Sequence, residues 1–180
     1  MISYKNAVKK ILTYSKPRII SISISKSLNH IVAENIFCKR DNPNFNNSLL
    51  DGFAVKSSDV KKNKTLFILG KISAGEKRRI KYKKNNCYQI ATGCPIYAPY
   101  DSMIPYEQVF FKNNNIIQCK TLVKKFQNVR KKGADYKKNS LLLKKGSKIK
   151  ASNLLAIKTL GISKVKVFST TNGNVVLFTC

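Results

Sequence analysis

Residues 43–55 read PNFNNSLLDGFAV, and along this stretch the chain changes character. Before Pro43, apolar residues recur at helical spacing or alternate in a single strand-like run. After Val55 they come in short β-type runs separated by Gly, Asn and Lys. The stretch also places Asp51 just ahead of Gly52, in a chain with 8 Asp+Glu against 35 Lys+Arg. An Asp-Gly pair is an ordinary turn former. The residues alone favour the turn and leave the question whether so rare a carboxylate also holds something.

Working outward toward the N-terminus, Tyr4, Ala7, Val8, Ile11 and Leu12 share one face of a helix over 3–14. Ser3 is placed to cap it, and Pro17 lies beyond its end. Ile20, Ile22 and Ile24 then alternate with serines as a half-buried strand. Toward the C-terminus, DGFAV, KTLFILGKI, CYQIATG and SMIPYEQVFF read as short strands. FFKNNNIIQCKTLV reads as a hairpin whose Asn113–Asn115 run tolerates positive φ. Past VRKKGADYKK the helical pattern returns, with Ser152 as cap and Gly161 as stop, and SKVKVF alternates as a last strand. The fold class is α+β. A β-rich, barrel-like domain over 43–133 is inserted into a discontinuous, elongated α/β domain made of 1–42 and 134–170. Ile22 and Val167 are therefore expected in the same domain.

The formal net charge is +27, yet the lysines are spread over every segment and few of the basic residues are arginine. Base readout and phosphate clamping favour arginine's planar fork. Phe67 and Phe110 read as inward strand positions, which leaves no stacking row. Weak, salt-sensitive polyanion binding without sequence preference is the expectation. The 5 cysteines form no CxxC pair, and the N-terminus shows no signal-like apolar segment, so reduced thiols in a cytoplasmic protein are expected. No run approaches the ~20 residues of a membrane span. A single histidine, His30, removes His-based triads and most zinc sites, so any metal would be held by hard oxygen ligands.

The motifs PNFNNSLLDGFAV, YQIATGCPIY, DSMIPYEQV, NVRKKGADYKKNSLLLKKGSKI and LLAIKTLGISKVKVF occur in the order and spacing of the molybdopterin molybdenumtransferases. That family includes the enzymatic half of gephyrin, and the resemblance extends over essentially the whole chain. It implies the family's first two domains, with residues 171–180 as the first strand of a third, so that the chain stops short of the pterin-binding α/β domain. It further implies Mg²⁺-dependent insertion of molybdate into adenylylated molybdopterin. A homodimer is implied as well, and a separate pterin-binding chain would be needed to complete the site.

By the same resemblance, Asp51, Asp135 and Thr92 are catalytic, Gly93, Arg130 and Ser48 contact substrate, and Asp51 and Asp135 hold the metal. Asp101 and Glu107 match family positions that read as structural. Two departures matter. The family's FDNS is Phe45-Asn46-Asn47-Ser48 here, and its GED is Gly133-Ala134-Asp135, so a carboxylate is lost at each place. Beside the enzymatic reading stand a basic nucleic-acid-binding module and a decayed, non-catalytic remnant.

Overall fold

The computed structural model describes residues 2–14, 17–73, 75–76 and 80–169. In chain order the first elements are α1 (Tyr4–Tyr14), β1 (Ile19–Ser23), β2 (Ile36–Phe37) and β3 (Asn47–Ser48). Next come β4 (Gly52–Val55), β5 (Thr65–Ile72), β6 (Asn86–Ile90) and β7 (Ser102–Pro105). The last are β8 (Val109–Asn113), β9 (Ile116–Cys119), β10 (Val129–Arg130), β11 (Leu141–Leu143), α2 (Ala151–Thr159) and β12 (Lys164–Phe168). The strand expected over 171–180 lies outside the described residues.

The chain divides into two compact units, one from Met1–Lys39 with Asn139–Cys180 and the other Arg40–Lys138. The cuts fall a few residues outside the sequence boundaries of 43 and 133. The cause is local: Asn42 bridges Tyr136, and the Lys138 N–H donates to Asp41 Oδ1 at 2.8 Å. The two flanks of the β-rich segment are thereby tied to each other.

In the first unit, β1 and β12 pair antiparallel with Ile20 opposite Val167 and Ile22 opposite Val165, so Ile22 and Val167 share one domain. Ile24, Val32, Ile36, Ile149, Ile157, Ile162, Val165 and Val167 form its core. Two local expectations change here. Ser152 lies inside α2 and does not cap it; the cap residue is Lys150, whose N–H donates to Asn153 Oδ1 at 2.9 Å. The apolar stripe of α1 is not buried, and Tyr4, Ile11 and Leu12 all stay exposed among the described residues.

The second unit is a curled six-stranded sheet in the order β7-β4-β6-β5-β9-β8, mixed through the parallel β5–β6 pair. Successive side chains on a strand point to opposite faces, and at β4 both faces are buried. Phe53, Val55, Leu66, Cys87, Ile104 and Ile117 belong to one core. Ala54, Ile72, Tyr88, Ile90 and Met103 belong to the other. That explains why GFAV is apolar at every position, as a strand covered on both sides must be.

Three further expectations are corrected. The β8–β9 hairpin uses no positive φ at Asn113–Asn115; Asn113 Oδ1 accepts the Asn115 N–H at 2.9 Å and closes the turn. Phe67 and Phe110 are not inward: they are 50% and 58% exposed, because the register gives the inner face to Leu66, Ile117 and Cys119. Glu107 is exposed and its carboxylate has no hydrogen bond among the described residues, so it is not the structural acid the sequence suggested. Asp101 is one, accepting from the Ser57 N–H at 2.8 Å and the Ser57 hydroxyl at 3.0 Å. Cys38, Cys87, Cys94 and Cys119 are free and buried. Burial pushes the Cys119 thiol up to about 11 and the Cys87 thiol higher still.

Gly52 sits between β6 and β7, opposite Ile90 on one side and Pro105 on the other. A Cβ there would collide with the Ile104 carbonyl oxygen, and would stand 2.8 Å from Met103 Cε and 2.9 Å from the Ile104 carbonyl carbon. Gly52→Ala is therefore expected to destabilise the fold by about 1–3 kcal/mol, the usual cost of overpacking. It should appear as a lower urea midpoint with an unchanged slope. An unshifted midpoint would mean that β7 can move aside.

Candidate functional site

Because Gly52 is paired with Ile90 in an antiparallel register, the residue before β4 lies beside the residues that follow β6. Asp51 therefore meets the Thr92-Gly93 turn. Its Oδ1 accepts two hydrogen bonds, from the Thr92 N–H at 2.6 Å and from Thr92 Oγ1 at 2.9 Å. Asp51 Oδ2 makes no hydrogen bond among the described residues, and the side chain is exposed. The Thr92 backbone N–H, with its hydroxyl second, holds the Asp51 carboxyl below the usual aspartate range against a small opposing effect of burial. The result is an oriented, ionised carboxylate with one oxygen committed and one open.

The turn is held from the other side by β3. The Gly93 N–H donates to the Ser48 carbonyl at 2.9 Å, and the Ser48 N–H donates to the Cys94 carbonyl at 3.0 Å. Gly93 has φ +80° with open space where a Cβ would stand, so glycine is required by conformation and not by crowding. Ser48 is 2% exposed, and its hydroxyl donates to the Leu50 carbonyl at 2.6 Å. The residue expected to touch substrate instead shapes the loop that carries Asp51.

The second group lies across β3, where β10 pairs with it and sets Arg130 opposite Asn47. Arg130 Nη2 donates to Asp135 Oδ1 at 2.6 Å and to Oδ2 at 2.7 Å. Asn42 Nδ2 adds a bond to Oδ2 at 3.2 Å. The loop bearing Asp135 is stitched to the stretch before β3. The Gly133 N–H reaches the Pro43 carbonyl at 2.9 Å, the Asp135 N–H reaches the Asn42 carbonyl at 2.9 Å, and the Lys132 N–H reaches Asn46 Oδ1 at 2.8 Å. The amide that replaces the family's aspartate at Asn46 thus serves as a loop tie.

Sequence reasoning missed Asp41 and Asn42, which hold this loop. Asp41 accepts the Lys138 N–H and lies 3.5 Å from Lys132 Nζ. The Lys138 N–H is the main reason its carboxyl is held below the usual range. The only signal in the sequence was the rarity of carboxylates.

The six expected site residues therefore fall into two sets. Asp51, Thr92, Gly93 and Ser48 form one, and Arg130 and Asp135 the other, with β3 bonded to both. Among the described residues no three of His, Cys, Asp and Glu converge on a metal-binding position. Mg²⁺ needs only one or two carboxylates and keeps several waters, and the open Oδ2 of Asp51 fits that demand. Asp135 fits it poorly, since both of its oxygens already face a guanidinium.

The chain is thus a two-unit α+β piece that carries an oriented loop carboxylate. The model of the MoeA N-terminal region, domains I and II, matches residues 2–161, and the chain belongs to this family. A relative from Haemophilus influenzae named molybdopterin molybdenumtransferase is 33% identical over 147 residues, 82% of this chain and 36% of its own. One of the same name from Staphylococcus epidermidis is 31% identical over 172 residues, 92% and 41%. A crystal structure of molybdopterin biosynthesis MoeA protein from Pyrococcus horikosii superposes with TM-score 0.85 at 30% identity, covering 93% of this chain and 44% of that one. The chain therefore spans roughly two fifths of the length of these relatives.

The hydrogen bonds to Asp51 set an expectation for its titration. A depressed folded-state value contributes stability above the unfolded value of 3.8, and that stability is lost as pH falls through the folded value. Carboxyl ¹³C shifts followed with pH should place the Asp51 midpoint below 3.8. Thr92→Ala should raise the midpoint without restoring it fully, because the stronger bond, from the backbone N–H, remains. A midpoint unmoved by Thr92→Ala would mean that the hydroxyl bond is not made.

Proposed function

We propose that the chain acts in molybdenum cofactor biosynthesis as the carboxylate-bearing part of a molybdopterin molybdenumtransferase. The substrates would be adenylylated molybdopterin and molybdate. The observation that carries this reading is Asp51, anchored through Oδ1 by both donors of Thr92 and left open at Oδ2. It lies in a chain that matches the family over most of its length.

Asp51 would hold Mg²⁺ through Oδ2, and the bound ion would supply the positive charge that draws and polarises an oxyanion such as molybdate. Thr92 fixes the orientation of the carboxylate through its N–H and hydroxyl. Gly93 lets the backbone turn, so that the Thr92 N–H and the carboxylate meet. Arg130, held by Asp135 on the strand paired with β3, would offer its remaining donors to anionic oxygens. In this scheme Asp135 positions Arg130 and is not itself a metal ligand. A pterin-binding segment from the remaining length of the relatives would complete the site.

The test is a chimera joining this chain to the remaining length of the Haemophilus influenzae relative, assayed for molybdenum insertion with Mg²⁺ present. Asp51→Asn keeps an acceptor for Thr92 but removes the charge a hard cation needs. It should lower activity by about a hundredfold or more and leave the melting temperature within about 3 °C. Glu107→Gln should change neither. Full activity in Asp51→Asn would reduce the carboxylate to a turn residue.

A further inference from the structure

On the three strands farthest from Asp51 in sheet order, β5, β9 and β8, the outer face is neither covered nor neutral. Phe110 is in register with Gln118, and Gln118 with Thr65; Phe67 is in register with Ile116. Paired residues, and residues two apart on one strand, share a face. Phe110, Gln118, Thr65, Ile116 and Phe67 therefore lie together on the side opposite the core residues Leu66, Ile117 and Cys119. From strand spacing and rise, the two phenylalanines stand roughly 12 Å apart on a diagonal. That is far enough for them to meet different units of one extended ligand.

These three strands themselves carry charge of one sign, and acids stand only at their borders: Glu107, whose carbonyl accepts from Lys120 Nζ at 2.8 Å, and Asp59, which accepts the Asn85 N–H at 3.2 Å. Residues 60–75 and 108–134 contain no Asp or Glu, although the chain's carboxylates flank both segments. Lys120 Nζ sits 4.4 Å from the centre of the Phe110 ring, and Lys64 and Lys112 lie on or beside these strands. Phe67 also lines a shallow concavity of about 490 Å³ with Asn113–Ile116, whose amides can both donate and accept.

We propose that this face binds single-stranded nucleic acid, with Phe67 and Phe110 stacking on two bases and the surrounding lysines neutralising the phosphates. Three features select that partner. Exposed rings on strands that carry lysines and no carboxylate suit a ligand that alternates flat π-faces with anionic groups. An aromatic ring standing on a sheet can stack only on an unpaired base, which disfavours duplex. The three strands carry no arginine, so bidentate base readout is not provided and little sequence preference is expected. The site is separate from the Asp51 loop, and the proposal does not depend on molybdate insertion.

The test is fluorescence anisotropy of labelled oligo(dT) of about 15 nucleotides with the full chain at physiological ionic strength, against a duplex of equal length. The oligonucleotide should bind more tightly than the duplex, and Phe67→Ala and Phe110→Ala should each weaken it about fivefold or more. Phe37→Ala, at a phenylalanine equally exposed at 50% in the other unit, should leave binding unchanged. The chain has no tryptophan, so Phe110→Trp adds a single emitter that stacked bases should quench.

Equal affinity for both nucleic acids, unaltered by Phe67→Ala and Phe110→Ala, would reduce the interaction to diffuse charge and overturn the proposal. So would absence of oligonucleotide binding. Self-association lost in Phe110→Ala on sedimentation, with oligonucleotide binding intact, would assign the face to a second copy of the chain and overturn it as well.

Discussion

The contact on which the second unit depends is the approach of the Gly52 backbone to the carbonyl of Ile104. β4 is hydrogen-bonded on both edges and covered on both faces, so nothing larger than a hydrogen fits at its first residue. That closeness lets Phe53 reach one core, where it meets Tyr106 edge-to-face at 5.3 Å, while Ala54 reaches the other. It also fixes the position of the preceding residue. Asp51 is thus placed by the packing of a strand, and a loop carboxylate gains the precision of a sheet.

Much of this was legible in the sequence for identifiable reasons. Strict alternation exposed β1 and β12, and the shift from helical to short-run periodicity at Pro43 exposed the inserted β-rich segment. Gly161, with φ +78°, ends α2 as its position suggested. Asp51 and Thr92 are singled out by the family resemblance, since an Asp-Gly and a Thr-Gly pair by themselves read only as turns at strand ends. What could not be read was partnership across sequence distance. Ser48 becomes buried only because β3 is held between Cys94 and β10, and Asp135 meets Arg130 only because Asn42 and Pro43 bind the intervening loop.

The misreading of Phe67 and Phe110 has a related cause. Period-two alternation states that one set of residues is inside, but not which set, when apolar residues occupy both. In KTLFILGKI both parities are apolar, and Leu66 and Phe67 competed for the core. Register with β9 settled it for Leu66. The even scatter of lysines along the chain likewise hid the fact that three neighbouring strands carry no carboxylate. Clustering in space need not be clustering in sequence.

The buried cysteines carry a different consequence. A thiol reacts as its thiolate, and Cys87 and Cys119 are held protonated by their surroundings. Alkylating reagents therefore reach them only when the strands on either side of β5 part. Cys38 lies in the first unit, and Cys87, Cys94 and Cys119 lie in the second. The rates at which these positions are labelled thus form a built-in gauge of local opening, able to report whether the two units breathe together or separately.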